Sequence, residues 1–533
     1  MIRRPARAAL AAAALALAAP ASAAAALPAP PHVLPGDAAA AGVSADASTW
    51  IVGARPGGTA ERIARRYGAR RAGPRETGGY AVATRRARAF AAALRRSGVL
   101  VYSQPDVLRR TDAMAKDPLD VSNPWRDRIV DPTLLLPAVT PTSPLIALVD
   151  AAADVNHPEL AGHVTTLGSL PVVNPHGTAT ASVATASANG AGLSGVWPGA
   201  RAANVPLDEQ ISCADSANGI RKAIQAKAAV INMSYGSSQL CYPEYVALQF
   251  AVARGIVPVA AAGNEFASGN PLEFPASLPH VVTVGAIGAE DKAAYFSNAN
   301  IAVDIAAPGE NIPIAVPPSL DGDGDGYAVA DGTSFAAPMV SAAIAWVRAA
   351  RPELRADQAA DAVRYSAHDV GPEGYDSSTG YGRLDLAAAL VRKPSVHDPA
   401  EPNDDITWVD GAMFRTADHV IYRGSGKATR VEANLDAIED PHDVYRVRVR
   451  PRARVRVTAK PTYGHITLRV FSGAAKRLSQ TRHRIARSAL PGNHTERVTI
   501  ANPSARPRTY YVALDVAKGS RLDAGYVLRA RRG

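Results

Sequence analysis

Asp331-Gly332-Thr333-Ser334-Phe335-Ala336-Ala337-Pro338-Met339-Val340 decides the fold. A small Gly-Thr entry precedes good helix formers, so Ser334 is expected in the first turn of a helix. Val340, Ile344 and Val347 repeat at helical spacing. Pro352 cannot continue the helix and should stop it near Arg351, whereas Pro338 falls near its start, where a missing N–H does least damage. The backbone N–H of a serine so placed has no partner within the helix and lies at the positive end of its dipole, where an oxyanion can be held. Taken alone, the same residues also read as an ordinary N-cap.

Moving outward, Leu145-Ile146-Ala147-Leu148-Val149 is an apolar run ending in Asp150, His176-Gly177-Thr178 stands where a helix can begin, and Ala260-Ala261-Ala262 runs into Gly263-Asn264. Val230-Ile231-Asn232-Met233-Ser234-Tyr235-Gly236 and Gly380-Tyr381-Gly382-Arg383-Leu384 complete the set. In this order the segments resemble the motifs of the subtilisin-like serine proteases, the subtilases, from about Pro118 to Leu390. The resemblance implies that Ser334 is the nucleophile, His176 its base and Asp150 the acid that orients the imidazole. It implies that Asn264 donates to the oxyanion, and that Ser234-Tyr235-Gly236 offers main-chain groups to an extended substrate. His157 is a competing base, but His157-Pro158-Glu159-Leu160 is similar to the turn after the family's acid motif, and Asp154 reads as structural. One departure stands out: the acid is usually followed by Thr-Gly or Ser-Gly, whereas Asp150 is followed by Ala151-Ala152. If that position needs a positive φ, strain loosens the triad; if alanine suits the local backbone, the triad survives.

Arg3, Arg4 and Arg7, an Ala/Leu run to Ala19 and small residues through Ala23 form the pattern of a secretory signal peptide, expected over residues 1–23. A membrane anchor is the competing reading, but the run is short and alanine-rich. The net charge of +10 might suggest a nucleic-acid partner. However, residues 1 to 110 hold 17 Lys or Arg against 5 Asp or Glu, leaving 41 against 43 in the remainder. Basicity therefore belongs to the leader region, and nucleic-acid binding loses its electrostatic basis. Cys213 and Cys241 in an exported chain are expected to pair rather than stay as buried thiols. Closing a loop of about 28 residues would stabilise by roughly 3.5 kcal/mol on the chain-entropy view.

With 533 residues, 47% of them hydrophobic, several domains are expected. Residues 45–112 read as strand, helix, strand, helix, strand and resemble the inhibitory propeptide of subtilases, of ferredoxin-like α/β type, with the cut between about Arg110 and Lys116. Residues 117–392 carry apolar strand runs separated by helices at Ser216–Lys227 and Pro243–Arg254, implying an α/β domain with a parallel sheet covered on both faces and active residues at strand carboxyl ends. In residues 399–533, Tyr445, Val447 and Val449 alternate with Arg446, Arg448 and Arg450, the mark of half-buried strands. An all-β sandwich is expected there. Glu401-Pro402-Asn403-Asp404 and Asp440-Pro441-His442-Asp443 resemble the small C-terminal domains that follow secreted bacterial proteases.

No cofactor is expected. Asp321, Asp323 and Asp325 alternate as calcium ligands can, but Gly332 stands where a twelfth-position glutamate would, so a solvated hairpin tip is expected. The expected function is a secreted, extracellular serine endopeptidase, made as a self-processed zymogen, whose partners are peptide or protein substrates and its own propeptide. Two alternatives are a catalytically impaired binding protein on the same scaffold, motivated by Ala151-Ala152, and a transpeptidase using the same residues.

Overall fold

The computed structural model describes residues 49–72, 79–105, 117–122, 124–398, 400–414, 419–424, 428–517 and 523–533. The signal-peptide stretch and the expected cleavage segment lie outside them. The chain forms two compact units, Met1–Arg110 and Thr111–Gly533.

In the first unit, β1 (Thr49–Ala54), α1 (Gly58–Tyr67), β2 (Arg70–Arg71), β3 (Gly79–Ala83), α2 (Thr84–Arg96) and β4 (Leu100–Pro105) follow one another. The antiparallel sheet has the order β2-β3-β1-β4. The two-residue strand β2 has no apolar run to announce it, so the sequence pattern shows one strand too few. Trp50, Val52, Phe90 and Leu94 fill its core.

The second unit opens with α3 (Pro118–Ser122) and then builds a seven-stranded sheet: β5 (Ile146–Ala151), β6 (Val164–Thr166), β7 (Ala202–Leu207), β8 (Val230–Met233), β9 (Val257–Ala261), β10 (Val282–Ile287) and β11 (Ile305–Pro308). Its order is β11-β10-β9-β8-β5-β7-β6 and every pairing is parallel. Ile146 and Leu148 of β5 enter one core while Ala147 and Val149 enter the other. Burial on both faces is why the strand reads as unbroken apolar sequence. Helix α4 (His176–Thr185) and α7 (Thr333–Ala350) cover the first face, and α5 (Cys213–Gln225) and α6 (Tyr242–Val252) the second. Helix α5 begins at Cys213 and α6 at Tyr242, slightly earlier than apolar periodicity suggests, because Ser212 caps α5 and Cys241 caps α6. Strands β12 (Ile312–Ala315) and β13 (Tyr327–Ala330) form a hairpin with Asp321–Asp325 in its connection, followed after α7 by α8 (Ala356–Arg364) and α9 (Leu386–Val391).

The expected subtilisin-like α/β fold is thus present, with a β-rich region after it. There, α10 (Ile406–Val409) precedes β14 (Val420–Tyr422), β15 (Thr429–Asp436), β16 (His442–Val449), β17 (Arg454–Tyr463), β18 (Ile466–Ser472), β19 (Arg484–Ser488), β20 (Glu496–Ala501), β21 (Arg508–Val516) and β22 (Asp523–Arg532). Two sheets result, β14-β16-β21-β18-β19 and β15-β22-β17-β20. Tyr445 and Val447 of one share a core with Val455, Val457 and Tyr526 of the other.

Candidate active site

Asp150 lies near the carboxyl end of the central strand β5, and His176 is the first residue of α4. Gly177 lets them meet, because a Cβ there would lie 2.0 Å from the carbonyl oxygen of Ala151. His176 Nδ1 donates to Asp150 Oδ1 at 2.6 Å. The Ala151 amide donates to the same oxygen at 2.7 Å, and the buried Thr180 hydroxyl donates to Asp150 Oδ2 at 3.1 Å. The Asp150 carboxylate raises the pKa of His176 above the ordinary histidine value, against an opposing effect of burial.

Ala151 and Ala152 are absent from the residues with positive φ, and Ala151 still belongs to β5. The turn that follows is bracketed by a residue sequence reasoning missed: Asn204 of β7 donates through Nδ2 to the Ala151 carbonyl at 2.9 Å and accepts from the Ala153 amide at 3.1 Å. Thr180 was missed as well. It stands four residues after His176, one helical turn along the same face, which is the signal that could have found it.

Ser334 is the second residue of α7. Its hydroxyl donates to the main-chain carbonyl of Ser234 at 3.3 Å, and the Ser234 hydroxyl donates to the Ser334 carbonyl at 2.9 Å. The second bond follows from Pro338, which sits in the helix interior rather than at its start. A residue with an N–H there would bond to the carbonyl of Ser334; proline has none, and Ser234 takes the acceptor. A buried polar chain continues from it: Asn232 Nδ2 donates to Ser234 Oγ at 2.9 Å, and Ser341 Oγ, two turns along α7, donates to Asn232 Oδ1 at 3.0 Å. The His176 ring lies 6.1 Å from that of Phe335, beside the start of α7.

Asn264 follows the end of β9. Its Oδ1 accepts from the Thr333 amide at 2.9 Å and from the Thr333 hydroxyl at 2.9 Å. An amide N–H can only donate, so these bonds fix which end of the side chain is oxygen and leave Nδ2 as the free donor end. Ser234, Tyr235, Gly236, Ala261, Asn264 and Ser334 all line one cleft of about 610 Å³. Glu273 belongs to its wall, 7% exposed, and its carboxylate lies where a Cβ on Gly236 would be 2.7 Å away. Burial first, and Glu265 second, raise its pKa. The Cys213–Cys241 disulfide is formed and flanks the same cleft.

His157 is held elsewhere: it is buried, its Nε2 pairs with the Gly326 carbonyl at 3.0 Å, and burial lowers its pKa. Asp154 accepts from the Asn156 amide within its own turn. In the hairpin connection Asp321 accepts from the Gly326 amide and Asp325 from that of Tyr327, each at 2.8 Å. Ligand oxygens of Asp321, Asp323 and Asp325 lie within 4.8 Å of one another.

Among known proteins, the sequence profile described as the Subtilase family matches residues 142–382. Subtilisin from Bacillus pumilus is 31% identical over 273 residues, covering 49% of this chain and 96% of that protein. Subtilisin E from Bacillus subtilis (strain 168) is 31% identical over 273 residues, covering 49% and 69%. Fervidolysin from Fervidobacterium pennivorans is 30% identical over 286 residues, covering 47% of this chain and 41% of its own. The chain therefore belongs to the subtilase family of serine proteases.

Proposed function

We propose that the protein is a secreted serine endopeptidase working through Asp150, His176 and Ser334. The observation that carries the reading is the His176–Asp150 contact at 2.6 Å beside a helix whose second residue is a serine. In the reaction the Ser334 hydroxyl leaves the Ser234 carbonyl, gives its proton to His176 Nε2 and attacks the scissile carbonyl. Asp150 keeps the Nδ1–H tautomer and stabilises the imidazolium, while Asn264 Nδ2 and the Ser334 N–H meet the oxyanion. His176 then protonates the leaving amine, and water, activated by the same imidazole, releases the acyl group. The 234–236 main chain pairs with the substrate as an added strand. The side chain before the scissile bond enters the cleft, where Glu273 and Glu265 favour a basic residue.

Residues 1–23 act as signal peptide, 45–112 as inhibitory propeptide, 117–392 as peptidase domain and 399–533 as an accessory β-sandwich. Export suits the Cys213–Cys241 disulfide, and no helix among the described residues is long and apolar enough to cross a membrane. The test is labelling with a serine-directed fluorophosphonate: mass spectrometry should place the adduct on Ser334 and casein cleavage should cease, and correctly processed protein that takes no label there defeats the reading. Ser334→Ala should persist as an unprocessed precursor. Normal maturation of that variant, in a host without another protease able to cut it, would contradict self-processing.

A further inference from the structure

A second chemistry-bearing cluster lies where the peptidase domain meets the β-rich region, well away from Ser334 in sequence. Asp398, Glu401, Asp440 and Asp443 bring one ligand oxygen each to within 4.8 Å of one another, and His280, Glu401 and Asp440 do so in an overlapping set. The protein holds these groups from one side only. Asp398 Oδ1 accepts from the Ala400 amide, Glu401 Oε2 meets His280 Nε2 and the Asn403 amide, and Asp443 Oδ2 accepts from the Tyr526 hydroxyl. The opposite oxygens, Asp398 Oδ2, Glu401 Oε1 and Asp443 Oδ1, together with Asp440 Oδ1, are buried with no hydrogen-bond partner among the described residues. Asn403, 0% exposed, sits beside Asp443 within reach of its carboxylate, and neither end of its amide makes a hydrogen bond of normal geometry among the described residues.

Charge makes the arrangement untenable by itself. The charged neighbours of Asp440 are Glu401, Asp443, Asp404 and Asp398, carboxylates throughout. His280 is a basic group facing the cluster, and its Nε2 is shared between Glu401 and Asp404, at 3.0 Å from each. A proton shared between Asp398 and Asp443 would pair two of these oxygens, but Glu401 Oε1 and Asp440 Oδ1 would still be buried without a donor. Buried carboxylates that converge without donors are the environment a hard cation stabilises. An all-oxygen set of four carboxylates and one amide carbonyl suits calcium, whereas a set meant for zinc would offer sulfur or free imidazole nitrogen.

We propose that Asp398, Glu401, Asp440 and Asp443, with the Asn403 carbonyl, bind a calcium ion that clamps the β-rich region to the peptidase domain. Asp398, Glu401 and Asp440 also border a groove of about 880 Å³, which gives a hydrated ion a way in. His280 supplies the mechanical link: it precedes β10 of the peptidase sheet, its amide donates to the Glu439 carbonyl at 2.8 Å, and its ring bridges Glu401 and Asp404. The ion would therefore order the segment joining the two parts of the unit, and its removal would loosen that joint before the parallel sheet.

The test uses the full chain carrying Ser334→Ala, so that self-digestion does not blur melting, and Asp323→Asn, so that the hairpin carboxylates cannot supply the signal. Calcium at a hundredfold excess over its Kd should raise the melting temperature over that in chelator by about 5 °C. Adding Asp440→Asn should abolish the rise, and in chelator this variant should melt no lower than its parent, because it removes an uncompensated charge. Equal melting with calcium and chelator, or a rise that survives Asp440→Asn, overturns the proposal. If Asp440→Asn does not fold, terbium replaces the mutation: emission excited through Tyr526 and displaced by calcium is expected, and its absence overturns the proposal equally.

Discussion

Restoring the usual acid motif, by Ala151→Thr with Ala152→Gly, asks whether the natural site is impaired. Three donors hold the Asp150 carboxylate: His176 Nδ1, the Ala151 amide and the Thr180 hydroxyl. None comes from a side chain at 151 or 152, so the double change removes no bond to the charged oxygens, which already have three donors. Hydrogen bonds to charged groups are worth about 1.5–3 kcal/mol each. A site missing one would have that much to regain; a site with all three has nothing comparable. Glycine at 152 adds freedom to the unfolded chain, about 0.5–1 kcal/mol, which lowers the melting temperature rather than turnover. The expectation is a kcat within about tenfold of wild type, a barrier change below about 1.4 kcal/mol. The assay is a chromogenic peptide with active-site titration to count competent molecules. A gain on the order of a thousandfold, about 4 kcal/mol, would refute the account of Asp150 and revive the binding-protein reading.

Asn264→Ala should cut kcat by about 10² to 10³ while KM changes little; unchanged turnover removes Asn264 from the oxyanion role. Because Asp150 raises His176 and its neutral imidazole is the proposed base, kcat/KM should fall on acidification with a midpoint above about 6.5, and Asp150→Asn should move that limb to lower pH while lowering kcat by about 10⁴. A wild-type limb at or below the free-imidazole value contradicts the pairing. Glu273→Gln should reduce the preference for arginine over leucine before the scissile bond by about tenfold or more, a difference of about 1.4 kcal/mol; an unaltered ratio means the cleft does not read charge through Glu273.

The parallel sheet and the order of site segments were legible because strands buried on both faces, such as β5 and β9, leave unbroken apolar runs. Strand β7 was not, since Asn204 and Pro206 interrupt its pattern. Asn204 is buried only because Ala151 and Ala153 on the neighbouring strand and turn use its amide, a relation spanning about fifty residues that a local pattern cannot contain. Strands β15 and β19 carry charges on solvent faces and lack the clean alternation of β16. The carboxylates around Asp440 were visible as two separate Asp-rich segments, but their convergence with His280 depends on how the β-rich region meets the sheet. Thr180 resembles any helix residue until the register of His176 is known.

The bond from Ser234 to the Ser334 carbonyl has a mechanical consequence. A proline that opens one position in α7 joins the backbone of Ser334, the proposed nucleophile, to the strand proposed to carry the substrate, and the Ser341–Asn232 contact repeats the joint two turns deeper. If α7 shifts against the sheet, attacker and target shift together, so the gap between them is insulated from the breathing of the surrounding domain. Alignment at the reaction centre is then set by two short side-chain tethers, and the rest of the scaffold can soften without degrading it.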